Sequence, residues 1–300
     1  MWNDALPRQG ITNWSTFYPS GTSWQAWTKP AGCSWIYIYL QASGGGGGRT
    51  ADGVTPATSD GGGSGGGAGG LTRMLIPAFV VPDVLYVRPG LGGLGATTAN
   101  TVGSQGASSY VSMAPSTAAN ANYLIFQDGG FGGQITNVAN SPGNSATVNA
   151  ALIGTSLFTT SSGASFGTRG ASVTNGGGGS ITQTTSTLTT GGTGGGNGTG
   201  SGGAIINNVV FPTLAASAPG ENGRNGFQLG SIIAPGLKTF PMIFSGGTGG
   251  GGIATAGVAG KGGNASYGGG GGGGGGGTNA GSTSGNGGNG GNGFVLIGAF

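Results

Sequence analysis

Gly268 to Gly277 is an unbroken run of ten glycines, and soon after it the chain reads Gly285-Asn286-Gly287-Gly288-Asn289-Gly290-Gly291-Asn292-Gly293-Phe294-Val295-Leu296-Ile297. Glycine brings no side chain to a core and loses the most backbone freedom on ordering. A run of this kind is either a solvated tether or a segment ordered by backbone packed against backbone. The spacing favours order. Asparagine recurs every third residue, which matches the three-residue turn of an extended polyproline-II-type helix, whose N–H and C=O groups point outward. One edge then carries asparagine and two edges are bare. Bare edges let neighbouring segments approach closely and exchange main-chain hydrogen bonds, and buried groups of this kind must find partners. At 3.1 Å per residue the ten-glycine run spans about 30 Å. The runs also feed straight into strands, here Phe294 to Ile297, and do not sit between two domains. A flexible tether is the alternative.

Working outward, 78 of the 300 residues are glycine, with a second run at Gly44 to Gly48. It follows Trp35-Ile36-Tyr37-Ile38-Tyr39-Leu40, a strand whose two faces are both apolar and should both be covered. Further strands are expected at 71–80, 84–88, 107–113 and 123–127, and weaker ones at 152–159, 181–189, 204–211, 227–233 and 239–244. No helix is expected. The class is all-β, a sandwich or jelly-roll-like layer with long ordered glycine-rich loops and polyglycine-II-type packing.

Only 5% of the residues are charged, nine basic against six acidic, and the basic ones are spread evenly. No patch exists to neutralise phosphates, so a nucleic-acid partner is not expected. Low charge and low polarity suit a protein that lives inside an assembly. With no histidine and the single Cys33, there is no intrachain disulfide and no Cys/His metal cluster. The longest apolar stretch, 74–87, contains two prolines and an aspartate and is too short to cross a bilayer. The N-terminus has no secretory pattern, so synthesis in the cytoplasm is expected.

Chemistry is sparse. Gly90-Leu91-Gly92-Gly93-Leu94-Gly95 satisfies the dinucleotide pattern, but no helix follows, no acidic residue lies at the required distance, and such matches arise by chance at this glycine content. Ser and Thr have no histidine base. Asp52-Gly53, Asp60-Gly61 and Asp128-Gly129 read as turns, with calcium binding at one of them as the alternative. No catalytic residue, cofactor or metal is expected.

All five tryptophans lie within the first 35 residues. Residues 1–23 read as an aromatic attachment arm, with Trp2, Trp14, Phe17 and Tyr18 as the attachment candidates; packing onto the chain's own domain is the alternative. The segment Trp24-Gln25-Ala26-Trp27-Thr28-Lys29-Pro30-Ala31-Gly32, the strand and the glycine run after it, Gly69-Gly70-Leu71, Leu85-Tyr86-Val87 and the closing Gly-Asn repeats together resemble the glycine-rich domain of tailed-bacteriophage virion surface proteins. The likeness covers 24–130 and 262–300. Residues 131–261 depart from it and read as an insertion or second lobe of the domain 24–300. The resemblance implies a fibre, spike or adhesin on the virion, probing a glycan or protein receptor on the host, trimeric and attached to other virion proteins. A capsid decoration protein and a non-viral ice-binding glycine protein are the alternatives.

Overall fold

In a computed structural model of the chain, residues 13–52, 62–116, 122–135, 217–226, 246–253, 256–277 and 281–300 are described, with short strand pieces at 147–148, 158–162, 181–182, 187–188, 228–229 and 243–244. The expected strand at 204–211 lies outside the described residues.

Two five-stranded antiparallel sheets carry the fold. The first orders β1 (Asn13–Phe17), the C-terminal strand (Phe294–Ala299), β3 (Trp35–Gln41), β4 (Leu71–Pro77) and β9 (Phe158–Ser162). The second orders β2 (Gln25–Thr28), β5 (Val84–Arg88), β6 (Ser109–Ser112), β7 (Tyr123–Gln127) and β8 (Thr147–Val148). Ile36, Ile38, Leu40, Met74, Ile76, Val295 and Ile297 of the first sheet meet Trp27, Leu85, Val87, Val111, Leu124 and Ile125 of the second in one buried cluster. This is an all-β sandwich. The opposite face of β3 is also covered: Tyr39 stacks on Phe294, and Tyr37, Trp14 and Tyr267 close over them. The double apolar alternation of β3 thus has the physical meaning read from it. The one helical element among the described residues is a 3-10 turn, Ala78–Val80.

Beyond the sandwich the chain forms extended glycine-rich rods, numbered here in chain order: g1 (42–50), g2 (62–70), g3 (89–96), g4 (102–107), g5 (128–134), g6 (217–226), g7 (246–253), g8 (259–265), g9 (268–277) and g10 (284–293). They are bound by main-chain hydrogen bonds with a period of three. Ala42, Gly45 and Gly48 of g1 donate to Gly70, Gly67 and Ser64 of g2 at 2.8, 2.8 and 2.9 Å. The pairing directions make odd-numbered rods run away from the sandwich and even-numbered rods run back.

The rods stack in three layers, g6–g8–g10–g3, then g7–g9–g1–g4, then g2–g5. Rod g1 is surrounded on six sides. Its N–H groups reach g2, g4 and g10, while its carbonyls accept from g3, g5 and g9. The ring around it closes as well: Gly290 donates to Gly93, Ser104 to Leu94, Gly103 to Gly133, Gly67 to Phe131, Gly66 to Gly271 and Gly288 to Gly272. This is hexagonal close packing of three-fold helices.

The packing explains the run Gly44–Gly48. A Cβ at Gly44 or Gly47 would land on the carbonyl oxygen of Gly269 or Gly272, one at Gly45 or Gly48 on that of Phe131 or Gln134, and one at Gly46 on that of Leu94. Consecutive residues point at different neighbours and return every third position. The central rod therefore tolerates no side chain at any of the five.

Six rods continue strands. Rods g1, g2 and g10 extend β3, β4 and the C-terminal strand; g3, g4 and g5 extend β5, β6 and β7. In the sandwich, interleaved side chains hold stacked sheets about 10 Å apart. Where those side chains stop, the two layers close until their backbones touch.

Candidate functional site: the outer end and edge of the glycine bundle

The odd-even alternation gathers chain reversals at the end of the bundle far from the sandwich. The described chain leaves g1 at Asp52, g7 at Ile253 and g9 at Gly277 there, and re-enters at Gly62, Ala256 and Gly281. The turn 97–101 joins g3 to g4 at the same end, with Asn100 in the left-handed region at φ 56°.

A polar network fastens this end. Arg49, 8% exposed, closes the central rod. Its Nε donates to Ser284 Oγ at 2.9 Å, and one guanidinium nitrogen donates to Asn286 Oδ1 at 2.8 Å and to the Thr97 carbonyl. The other meets both oxygens of Asp52 at 2.9 and 3.1 Å. Asp52 also accepts from the Ser284 amide at 2.8 Å and hydroxyl at 2.7 Å. Arg49 and Thr101 exchange both main-chain bonds, and Asn100 donates to Thr50. One guanidinium thereby ties g1, g10 and the 97–101 turn together. Burial alone would raise the Asp52 pKa; the hydrogen bonds from Ser284 and Arg49 outweigh it and hold the carboxyl below its ordinary value.

The asparagine period has a specific job along the outer layer. At a lattice edge some N–H groups point where the described residues place no further rod. Asn222 and Asn225 of g6 accept the amides of Lys261 and Asn264 on g8 at 2.8 and 2.9 Å. Asn264 accepts the amide of Asn289 on g10 at 2.9 Å. Asn289 and Asn292 accept the amides of Gly95 and Gly92 on g3, each at 2.9 Å. Each rod caps the outward donors of the next. The side-chain amide replaces the carbonyl a further rod would supply.

The same bonds settle the dinucleotide-like stretch 90–95. The amides of Gly90, Gly92, Gly93 and Gly95 donate to Ser109 Oγ, Asn292 Oδ1, the Gly44 carbonyl and Asn289 Oδ1. The stretch is rod g3, and those donors are committed within the fold.

The attachment candidates fall in different places. Trp2 lies outside the described residues. Trp14 stands on β1 edge-on to Tyr37 and Phe300, at 6.1 and 6.3 Å between centroids, over the bare backbone of Gly298. Phe17 belongs to the inter-sheet core. Tyr18 is 43% exposed and leans on Tyr267 at 5.7 Å; partial burial and Tyr267 raise its pKa. Residues 13–17 of the expected arm are thus an edge strand, and Tyr18 is the exposed ring of the three. Of the three Asp-Gly pairs, Asp60 lies outside the described residues, Asp52 serves Arg49, and Asp128 accepts from Ser108 at 2.9 Å. Among the described residues no three potential metal ligands cluster, and no helix is long and apolar enough to cross a membrane.

Sequence reasoning missed the Arg49 network. The signal was a charged residue placed directly at the end of a five-glycine run, with Asp52 three positions on.

No protein-family model matches the chain, and no curated protein matches it.

Proposed function

We propose that the chain is a structural protein of a tailed-phage virion, a fibre, spike or appendage whose outer bundle end contacts the host surface. It acts by binding, not catalysis, as a homotrimer joined to other virion proteins. The observation that carries this reading is the up-and-down rod arrangement. It directs successive chain reversals to one end, away from the N-terminal strand, and Arg49 fastens that end to the rigid central rod. Loops on a stiff scaffold are where recognition is normally placed, since they vary without disturbing the packing beneath. Ordered glycine rods supply stiffness with almost no charge, which suits a component of a crowded particle. The resemblance of 24–130 and 262–300 to virion surface domains points the same way.

Electron microscopy of virions carrying a gold-labelled copy tests the placement. Label at the tail tip or on an appendage is expected; label over the head surface turns the reading into capsid decoration. Exchanging the side chains of Thr98 and Ala99, which the Arg49 network does not use, should change adsorption to host cells while the melting temperature holds. Unchanged adsorption after exchange of every outer reversal would remove the receptor role.

A further inference from the structure

The outward face of the second sheet carries a cluster that neither the core nor the bundle uses. Leu85 and Val87 of β5 point into the core, so Tyr86 and Arg88 point out. Tyr110 faces outward on β6 and is paired across the sheet with Phe126 on β7. The Tyr110 and Phe126 rings are within 12° of parallel with centroids 5.6 Å apart. Trp24 and Tyr123 adjoin Tyr110 at 5.9 and 5.1 Å. The Arg88 guanidinium lies 5.3 Å from the Trp24 ring centre and 4.8 Å from that of Tyr110.

Arg88 is half-exposed, and no carboxylate, carbonyl or hydroxyl of the described residues takes any of its N–H donors. Its two ring contacts hold the guanidinium in place without using its hydrogen bonds. A guanidinium held in that way presents the geometry that grips a carboxylate through two parallel bonds. We propose that this cluster is a binding site for a carboxylate-bearing sugar of a surface polysaccharide, with the acid on Arg88 and the sugar ring across the outward edges of the Tyr110 and Phe126 rings.

The surroundings favour a sugar over an acidic peptide. Peptides commonly add to a sheet edge or seat an anchor in a groove. This cluster spans β5, β6 and β7, the three inner strands of the sheet, so no edge is on offer. What is on offer is a row of ring edges, with Tyr110 held between Arg88 and Phe126, beside one cation. The site deepens the host-surface reading, and rests on it for the source of the sugar.

Isothermal titration of the full chain with oligogalacturonate and with α2,8-linked oligosialate tests the site. Methyl-esterified oligogalacturonate and an oligoglutamate peptide are the comparison ligands. At least one acidic oligosaccharide should bind. Esterification and Arg88→Gln should each weaken it by more than about tenfold. Arg88→Lys should recover only part of the loss, because an ammonium lacks the fork. Tyr110→Ala should weaken binding while leaving its salt dependence in place. Thermal melts of each variant separate lost binding from lost folding; should Arg88→Gln unfold the chain, the ester comparison on the unaltered protein still decides. Absence of binding by both acids, equal affinity for the ester, or equal affinity for oligoglutamate would overturn the proposal. Its fate is separable from that of the virion reading. Sugar binding by a chain found on no virion removes the appendage role alone, and a virion protein that ignores acidic sugars removes this site alone.

Discussion

The sandwich and the glycine bundle are built from the same strands, yet they are held by opposite means. At Ile38 and Leu296 the side chain is the packing unit, and a lost methyl leaves a void. At Gly46, six residues beyond Leu40 on the same run of chain, the absence of a side chain is the packing unit, and an added methyl meets a carbonyl oxygen. Burial is therefore no guide to which substitutions are tolerated. Both regions are fully covered, but the sandwich is sensitive to subtraction and the bundle to addition. Main-chain hydrogen bonding also changes form, from two-sided ladders in the sheets to three directions of bonding in the lattice.

The largest effect should come from adding volume to the central rod. Gly46→Val cannot be absorbed by rotating a side chain, because the obstacle is backbone on neighbouring rods. The bundle should lose its order, and hydrogen exchange of the glycine amides should accelerate throughout g1. Even Gly46→Ala should cost about 3 kcal/mol or more in denaturant melts. A neutral Gly46→Val would break the comparison outright.

Next in size is subtraction from the sandwich. Ile38→Ala removes a fully buried side chain between the sheets and should cost about 2–5 kcal/mol. If lattice and sandwich unfold as one unit, both substitutions shift a single transition; two resolved transitions would show that the bundle has a stability of its own.

A smaller effect sharpens the account of the edge. Asn289→Ala strips the acceptor from the Gly95 amide, at a cost of about 1 kcal/mol in thermal melts. Asn289→Asp keeps an acceptor in the same place and should recover most of that loss. Equal loss in both variants would mean that the cap is not the reason for the asparagine period.

Acid supplies a further test at the outer end. The Asp52 carboxyl is held below its ordinary value when folded, so its contribution is present above the ordinary value and is lost as pH falls through the lowered one. Asp52 is partly exposed, so the effect is modest. Lowering pH from neutral through the carboxylate range should reduce the protection of the Asn100 and Thr101 amides, taken relative to the intrinsic exchange rate at each pH, before the sandwich responds, and Asp52→Asn should remove that change in protection. The smallest effect belongs to outward positions on the rods. Leu94→Ala, at a side chain 66% exposed, should change stability by less than about 0.5 kcal/mol, although it lies one residue from Gly93 and Gly95.

Much of this contrast was legible in the chain. The alternation Trp35 to Leu40 named both faces of β3, and the strands at 84–88, 123–127 and after Gly293 could be placed from their apolar runs. The period of Asn286, Asn289 and Asn292 gave the three-fold rod and its edge. β1 and β2 were not read as strands, because Asn13–Phe17 and Gln25–Thr28 are short edge segments whose pairing partners lie far along the chain. The stretch 217–261, set aside as part of an insertion or second lobe, supplies rods g6 and g7 and the start of g8. Its signal was present in Glu221-Asn222-Gly223-Arg224-Asn225-Gly226, the same three-residue period diluted by charge. What no local pattern contains is which rod is central. That depends on six partners drawn from residues 62 to 293.

Hydrogen–deuterium exchange resolved at Gly44 to Gly48 in the intact protein tests the central claim most directly. Each of these amides donates to a carbonyl of another rod at 2.8 to 3.0 Å. The account predicts protection comparable to that of Ile36 to Leu40 in β3. Exchange at the rate of an unstructured glycine peptide would contradict it.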